Sequence, residues 1–333
     1  PHWGISGNKN WDILFCPFHK EVDCGGKSFF FYGQKWAGLY NFLCENYIWM
    51  DYDFVCFPDD DILTTCENWN SFFDYCRKLN VKLAAPALSK DSYFIHPTTI
   101  VNDNFIARKT TFIEVMNPCF SVEFLKEALR TFNLSRTGTG FGLDFLWPAM
   151  LNYNDIWIVD ATPVKHTKPI GRQRNNTLNE ISNYEAEFFI NLGIPVIYSF
   201  IGGILLNEDF FHYNDDEFMR VYIDGFSYLK DFRMDLWSSI SNIDKLEQPP
   251  YKISFNNKKL FKVLSHFDVS KRTISLGKPS RQSSTSKWSW SSDVNVEASG
   301  GNDGLINGVC GFHTSLEVNP WWEVDLEGVF SID

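Results

Sequence analysis

No Cys-x-x-Cys pair occurs among the eight cysteines (Cys16, Cys24, Cys44, Cys56, Cys66, Cys76, Cys119 and Cys310), and their spacings give no paired knuckles for structural zinc. They are expected to be buried, reduced thiols, as free cysteines commonly are. No apolar run approaches the ~20 residues of a membrane-spanning helix. No basic segment leading into an apolar stretch opens the chain, so a cytoplasmic protein is expected. The chain begins at Pro1 without Met and closes at Asp333 inside an expected strand, so both ends read as truncated, with room for a signal or anchor beyond them. Positive charge is also scarce: 30 Lys and Arg face 41 Asp and Glu, a net charge of -11. That balance excludes nucleic acid and anionic membranes as partners, since both require a basic field that displaces counterions. Internal repeats and long low-complexity tracts are absent as well.

What the chain does have is apolar and aromatic bulk. With 333 residues, 44% hydrophobic and 17% aromatic, it has room for one catalytic-sized α/β domain plus a smaller piece, and rings enough to stack on flat ligands such as sugar faces. Short apolar runs at Trp11 to Cys16, Phe54 to Phe57, Val81 to Ala85, Ile156 to Asp160 and Pro195 to Phe200 read as strands. They alternate with helical stretches, which predicts an α/β domain with a largely parallel sheet. Thr64-x-x-Glu67 is a capping-box pattern, followed at helical spacing by Trp69, Phe72, Phe73, Cys76 and Leu79. Thr177-x-x-Glu180 predicts another helix, with Ile181, Tyr184, Phe188, Phe189 and Leu192 inward and a stop at Gly193 and Pro195; a third runs from about Ser121 to Phe132. The expected division is 1–240 for the α/β domain, 241–273 for a linker broken by Pro249-Pro250, and 274–333 for a Ser- and Gly-rich all-β module without helical period.

Three segments carry chemistry. Asp59-Asp60-Asp61 follows the apolar strand directly, and three adjacent carboxylates repel one another unless a cation lies among them. Their place at the carboxyl end of a strand, where open α/β sheets bind ligands, favours a hard divalent ion over a plain solvated loop. Gly138-x-Gly140-x-Gly142-x-Asp144 presents one carboxylate beside aromatic residues, with glycines that let backbone approach a ligand. Taken alone it reads equally as a turn into a helix, and its spacing is that of neither the dinucleotide nor the P-loop fingerprint. The third segment brings His166 to the end of a strand among Lys165, Lys168, Arg172 and Arg174, a metal ligand beside cations able to hold a diphosphate.

As a set these segments resemble a bacterial branch of a glycosyltransferase-like family of unknown substrate (DUF707) over roughly residues 1–200. The resemblance is carried by His2-Trp3, Trp11-Asp12-Ile13, Lys35-Trp36, Pro58-Asp59-Asp60-Asp61, Gly140-x-Gly142-x-Asp144-x-x-Trp147-Pro148 and Val159-Asp160-x-x-Pro163-Val164-x-His166-Thr167-x-Pro169-x-Gly171. It implies a GT-A-like, Rossmann-like nucleotide-diphospho-sugar transferase domain. Asp59 to Asp61 stand where that fold has its metal-binding Asp-x-Asp, so that Asp61 binds Mn²⁺ or Mg²⁺ and Asp59 lies near the donor's ribose or sugar. His166 completes the metal site. Asp60, Lys165, Lys168 and Arg172 help hold the diphosphate, and Asp144 lies beside the acceptor as candidate general base, which implies inversion. The first strand and base-binding loop of such a fold are missing before Pro1.

From Ile274 to Thr285, at Gly311-Phe312-His313-Thr314 and from Asn319 to Leu326, the tail is similar to the first half of a fucolectin or coagulation-factor type (F5/8 C) discoidin jelly roll. Trp322, Val324 and Leu326 alternate with Glu323 and Asp325, the pattern of a strand with one buried face. The resemblance implies carbohydrate binding and a structural Ca²⁺, with Asn302, Asp303 and Glu317 as contributors. The function expected of the whole is metal-dependent transfer of a sugar from a nucleotide-sugar donor to a glycan or glycolipid acceptor. The alternative is a non-catalytic carbohydrate-binding protein on a degenerate transferase scaffold.

Overall fold

The computed structural model describes residues 7–18, 20–31, 34–135, 138–169, 187, 189–190, 193–194, 196–212, 215, 217–240, 275, 278–302 and 311–328. In chain order the first elements are α1 (Lys35–Glu45), β1 (Phe54–Cys56), β2 (Ile62–Leu63), α2 (Cys66–Lys78), β3 (Leu83–Leu88), β4 (Phe105–Thr110) and β5 (Cys119–Ser121). They are followed by α3 (Val122–Phe132), α4 (Leu143–Met150), β6 (Ile156–His166), β7 (Phe200–Leu205), β8 (Phe210–His212), α5 (Phe218–Asp224) and α6 (Met234–Ile240). The eight strands form one mixed sheet in the order β1-β5-β3-β6-β4-β7-β8, with β2 laid against β6 outside that path.

This is an α/β architecture, but the sheet is less parallel than its strand-helix alternation suggests. Among the described strands β3 and β6 pair in parallel, and the remaining ladders are antiparallel. An apolar run reports burial and not direction, and β5, three residues long, slips antiparallel between β1 and β3. Strand β6 changes partners along its length. Its first half, Ile156 to Val159, lies between β3 and β4. The register then jumps, so that Pro86 faces Val159 while Leu88 faces Val164, and the far end of β6 pairs His166 with Ile62. That excursion is what carries His166 to the Asp59–Asp61 turn.

The helices hold the sheet by one apolar face each. Helix α2 starts one residue later than the capping-box spacing predicts: Thr65 is the N-cap and accepts from Asn68 N at 3.1 Å, while Thr64 Oγ1 accepts from the Asn68 side chain at 2.9 Å. Its Trp69, Phe72 and Cys76 are buried as expected. In α3, Ser121 caps Phe124 N at 3.2 Å. The centre of the core is aromatic: Trp36 of α1 meets Trp147 of α4 edge-on at 4.9 Å and Phe132 of α3 at 4.8 Å, and Trp147 Nε1 donates to Thr131 Oγ1 at 2.9 Å.

Two expected strands are displaced. Trp11 to Cys16 forms no continuous strand: Phe15 makes an isolated parallel bridge to Ser28, and beyond the run Phe18 makes another to Phe31. The run predicted at Pro195 to Phe200 becomes β7 only from Phe200. The start of the Thr177 helix, the 241–273 linker, His2-Trp3 and Gly171 lie outside the described residues; of that helix, Phe189 is buried, and Gly193, at φ +86°, ends it with Gly193 N on Ile190 O and Ile194 N on Phe189 O. In the tail, β9 (Ser280–Gln282) pairs antiparallel with β10 (Trp322–Val324), and α7 (Val294–Ala298) is a short helix where none was expected, capped by Asp293. Trp322 stacks on Phe312 at 5.7 Å and donates to Ala298 O, so this ring is a packing element of the tail.

Candidate functional site

The acidic turn is held in place by backbone bonds before any side chain acts. Phe57 N donates to Pro118 O at 2.9 Å and Asp59 N to Met116 O at 3.0 Å, which extends β1 alongside the 116–118 segment. The chain then turns, with Ile62 N on Asp59 O at 3.4 Å, and enters β2. Thr167 closes the far side: its N and Oγ1 donate to Asp61 O at 3.0 and 2.9 Å.

Within this frame the three carboxylates diverge. Asp61 turns inward, its side chain 13% exposed, and its Oδ2 lies 3.3 Å from His166 Nε2. His166 Nδ1 lies 2.8 Å from Tyr93 O, so Nδ1 carries a proton and donates to that carbonyl. Burial pushes the His166 pKa down, but the Asp61 hydrogen bond, the Tyr93 carbonyl and the Asp61 charge together raise it above the ordinary histidine value. For Asp61 burial works upward and is outweighed by the bond to His166 and by the charges of His166 and Lys168, so its pKa lies below the usual carboxylate range. Lys168 Nζ reaches Asp60 at 3.5 Å and Asp61 at 3.9 Å. Asp60 is solvated, with a side chain 68% exposed.

Asp59 turns instead to Lys35 at the start of α1. Lys35 Nζ donates to Asp59 Oδ1 at 2.6 Å and to the carbonyls of Val115 and Met116 at 2.9 and 3.0 Å. Burial raises the Asp59 pKa more than Lys35 lowers it, and the charges of Asp61 and Asp60 add to the rise. Lys165 leaves the cluster. It is the strand neighbour of His166 and so faces the other way, toward Asp91 at 2.5 Å. Arg172 and Arg174 lie outside the described residues.

Asp144 sits in the first turn of α4, behind the Gly-rich turn. Gly140 and Gly142 have φ of +85° and +87°, and a Cβ at either would lie 2.4 Å from Trp36 Nε1 or 2.2 Å from the Phe189 ring. Here glycine is required by both conformation and space. Asp144 Oδ1 is buried and has no hydrogen-bond partner among the described residues. Burial, and secondarily the charge of Glu114, push its pKa up to about 8 against the opposing pull of backbone N–H groups.

Sequence reasoning missed Lys35 as a site residue, along with Tyr93, Glu114, Asn117 and a group of rings. His96 stacks on Tyr198 at 5.1 Å; Phe112 lies 4.7 Å from His96 and 5.3 Å from Phe145; Phe145 meets Tyr198 edge-on at 5.1 Å. Phe112 is buried, and the other three keep part of their surface open. The four rings come from four separate segments, so no spacing announces them.

The chain matches no family model and no curated protein. The fit of a metal is therefore judged on the side chains. Asp61 Oδ1 is buried without a hydrogen-bond partner among the described residues, a hard oxygen with open lone pairs. Beside it stands His166 Nε2, whose ring is oriented by a carbonyl on the other nitrogen, as in many metal-ligating histidines. These two residues fit as ligands for Mn²⁺ or Mg²⁺, whereas Asp59 is engaged by Lys35. No group of three such ligands gathers among the described residues. A Mg²⁺-type site with one or two protein ligands is completed by phosphate oxygens and water. In the tail, Asn302 Nδ2 donates to the Ser275 and Lys278 carbonyls and Glu317 accepts from Ser283 and Ser284, so both are tied into the chain; Asp303 lies outside the described residues. Among the described residues no helix is long and apolar enough to cross a membrane.

Proposed function

We propose that the α/β part is a metal-dependent glycosyltransferase that moves a sugar from a nucleoside-diphosphate donor to a hydroxyl of a glycan or glycolipid. The observation that carries this reading is the Asp61–His166 pair at the end of β6, with an open carboxylate oxygen on one side and Lys168 on the other. Asp61 and His166 would hold the metal, which supplies charge neutralisation for the departing diphosphate. Lys168, half exposed and within 4 Å of two carboxylates, is free to swing to phosphate oxygens. Arg172 and Lys165 are proposed as further diphosphate contacts, Lys165 by releasing Asp91. Lys35 fixes Asp59 beside the 115–116 carbonyls and so sets one wall of the donor site. Asp144 is the candidate base toward the acceptor hydroxyl, and the His96, Tyr198 and Phe145 rings beside it suit the apolar face of a sugar. The discoidin-like tail, a short strand pair with a helix, is proposed to bind carbohydrate.

The test is calorimetric titration of UDP and GDP into the full chain, with and without Mn²⁺, beside Asp61→Ala. Metal-dependent binding that the variant loses supports the reading. Absence of binding by a folded protein overturns it in favour of a carbohydrate-binding scaffold.

A further inference from the structure

We propose that Cys56 and Cys119 form a reversible disulfide between β1 and β5 when the protein meets a peroxide, and that this bond holds the strand end from which the acidic turn departs. The bond does not rest on the glycosyl-transfer reading.

The backbone sets the two thiols opposite each other. In the antiparallel β1–β5 ladder Cys56 is the register partner of Cys119. Phe57 N donates to Pro118 O just beyond that pair, and Val122 N donates to Asp53 O beyond the other end of the ladder. These bonds make Cys56 and Cys119 a non-hydrogen-bonded pair, the kind whose Cα atoms stand closest, about 4.5 Å apart. That spacing falls within the span of about 4.4–6.8 Å that a disulfide bridges. Residues directly opposite one another share a face of the sheet. Here it is the face covered by α2, where Cys119 and Cys76 are buried in one apolar cluster with Trp69 and Phe72, and Cys56 packs against it. The Cys119 thiol is within hydrogen-bonding reach of both the Cys56 and the Cys76 thiol. All three are free.

Access sets the order of events. Cys76 and Cys119 are fully buried, whereas Cys56 is half-buried. Burial also pushes the Cys119 thiol well above the ordinary thiol range, which makes it a poor first nucleophile. Cys56 is therefore the point of entry. Its sulfur attacks one peroxide oxygen, the O–O bond breaks, and a sulfenic acid and one water result. The Cys119 sulfur then attacks the Cys56 sulfur, the S–O bond breaks, and the departing hydroxide takes the Cys119 proton as a second water. Two thiols give up two electrons in all, and the peroxide receives them.

The cross-link lies directly beneath the candidate site. Met116 O accepts from Asp59 N and Pro118 O from Phe57 N, and between them stands buried Asn117. The Cys56 thiol donates to Asn117 Oδ1 at 3.4 Å. A disulfide has no proton to donate, so oxidation exchanges that weak bond for a covalent tie between the two strands that carry the turn.

The test is non-reducing peptide mapping of the full chain, without metal or donor, after treatment with hydrogen peroxide and alkylation of the remaining thiols. A Cys56–Cys119 linked peptide that dithiothreitol removes is expected in the native chain and in Cys76→Ser. Hydrogen exchange at the Phe57 and Asp59 amides is expected to slow several-fold in the oxidised chain and to recover after reduction. A Cys76–Cys119 link instead, Cys56 oxidised to sulfinic acid without a link, or Cys56 left unreacted overturns the disulfide. A linked peptide with unchanged exchange overturns its hold on the turn. None of these outcomes depends on nucleotide binding, so their failure is distinct from failure of the transferase reading.

Discussion

His166 Nε2 stands 3.3 Å from Asp61 Oδ2 while its Nδ1 donates to the Tyr93 carbonyl, so one imidazole joins the acidic turn to the loop after β3. Neither partner is near the other in sequence. The excursion in β6 beyond Val159 brings them together.

The first prediction concerns that imidazole. In the metal-free protein His166 titrates above the ordinary value of about 6.5. A raised folded-state pKa means that the pair stabilises the fold fully below about pH 6.5 and loses that contribution as pH rises through the higher folded value. Asp61→Asn is expected to move the His166 titration downward in NMR spectra. Mn²⁺ or Mg²⁺ should displace the proton in the native chain and not in the variant. An unchanged titration in Asp61→Asn would remove the pairing as its cause.

The Lys35 contact gives a second prediction. Lys35→Met removes the cation from Asp59 and the Lys35 bonds from the Val115 and Met116 carbonyls, the latter keeping its bond from Asp59 N, a loss of roughly 1–2 kcal/mol at pH 7. Since Lys35 is what opposes the upward push of burial on Asp59, removing it raises that pKa further. The loss should therefore shrink as pH falls and Asp59 takes up its proton. Urea unfolding of both proteins as a function of pH measures both effects.

What could be read from the sequence was local. Asp59 to Asp61 were visible because three carboxylates are contiguous after an apolar run, and His166 because cations flank it at a strand end. The helix after Thr64 announced itself by a capping-box pattern, one residue early, and by periodicity, and the helix from Ser121 to Phe132 was placed within its bounds. Strand direction, by contrast, left no trace in apolar runs, and β7 begins where its predicted strand ends. Lys35 reaches Val115 and Met116 across some 80 residues, and Phe112 packs on Phe145 from a separate segment. A lone Lys at a helix start and a lone Phe in a loop carry no spacing from which such contacts can be inferred.

The Gly-rich turn yields a third prediction. Gly142→Ala combines a left-handed backbone, which costs a non-glycine residue about 1–2 kcal/mol, with a Cβ 2.2 Å from the buried Phe189 ring. The expected destabilisation is at least about 2 kcal/mol by urea denaturation. Gly193→Ala, at φ +86° with nothing within 4 Å, should show the backbone cost alone.

His96 supplies a fourth, read through pH. Burial among Phe112 and Tyr198 lowers its pKa to about 4. Because the unfolded chain binds the proton from about pH 6.5 downward, stability is complete above that value and falls as pH drops toward 4, by roughly 1–2 kcal/mol between pH 7 and pH 5. His96→Phe should flatten that part of the pH–stability curve. A slope retained in the variant would assign it to other groups.

The fifth prediction separates fold from site. Arg108 and Asp160 are both fully buried and joined by two bonds, Nε to Oδ2 at 2.8 Å and Nη2 to Oδ1 at 2.7 Å. Arg108 also donates to Ile100 O and lies between the Phe200 and Phe226 rings, and Asn102 N donates to Asp160. Every bond ends on protein, so this carboxylate, although it belongs to the Val159–His166 motif, ties β4 to β6 and offers no oxygen to a ligand. Arg108→Met leaves a buried charge and is expected to cost about 3–5 kcal/mol at pH 7, whereas Arg108→Met with Asp160→Leu recovers at least half of that, because two apolar side chains need no partner. The single variant should lose less at pH 5, where Asp160 can take up a proton. If the double variant is as unstable as the single one, the bonds to Ile100 and Asn102, and not the ion pair, hold this junction, and the β6 excursion that carries His166 to Asp61 depends on them.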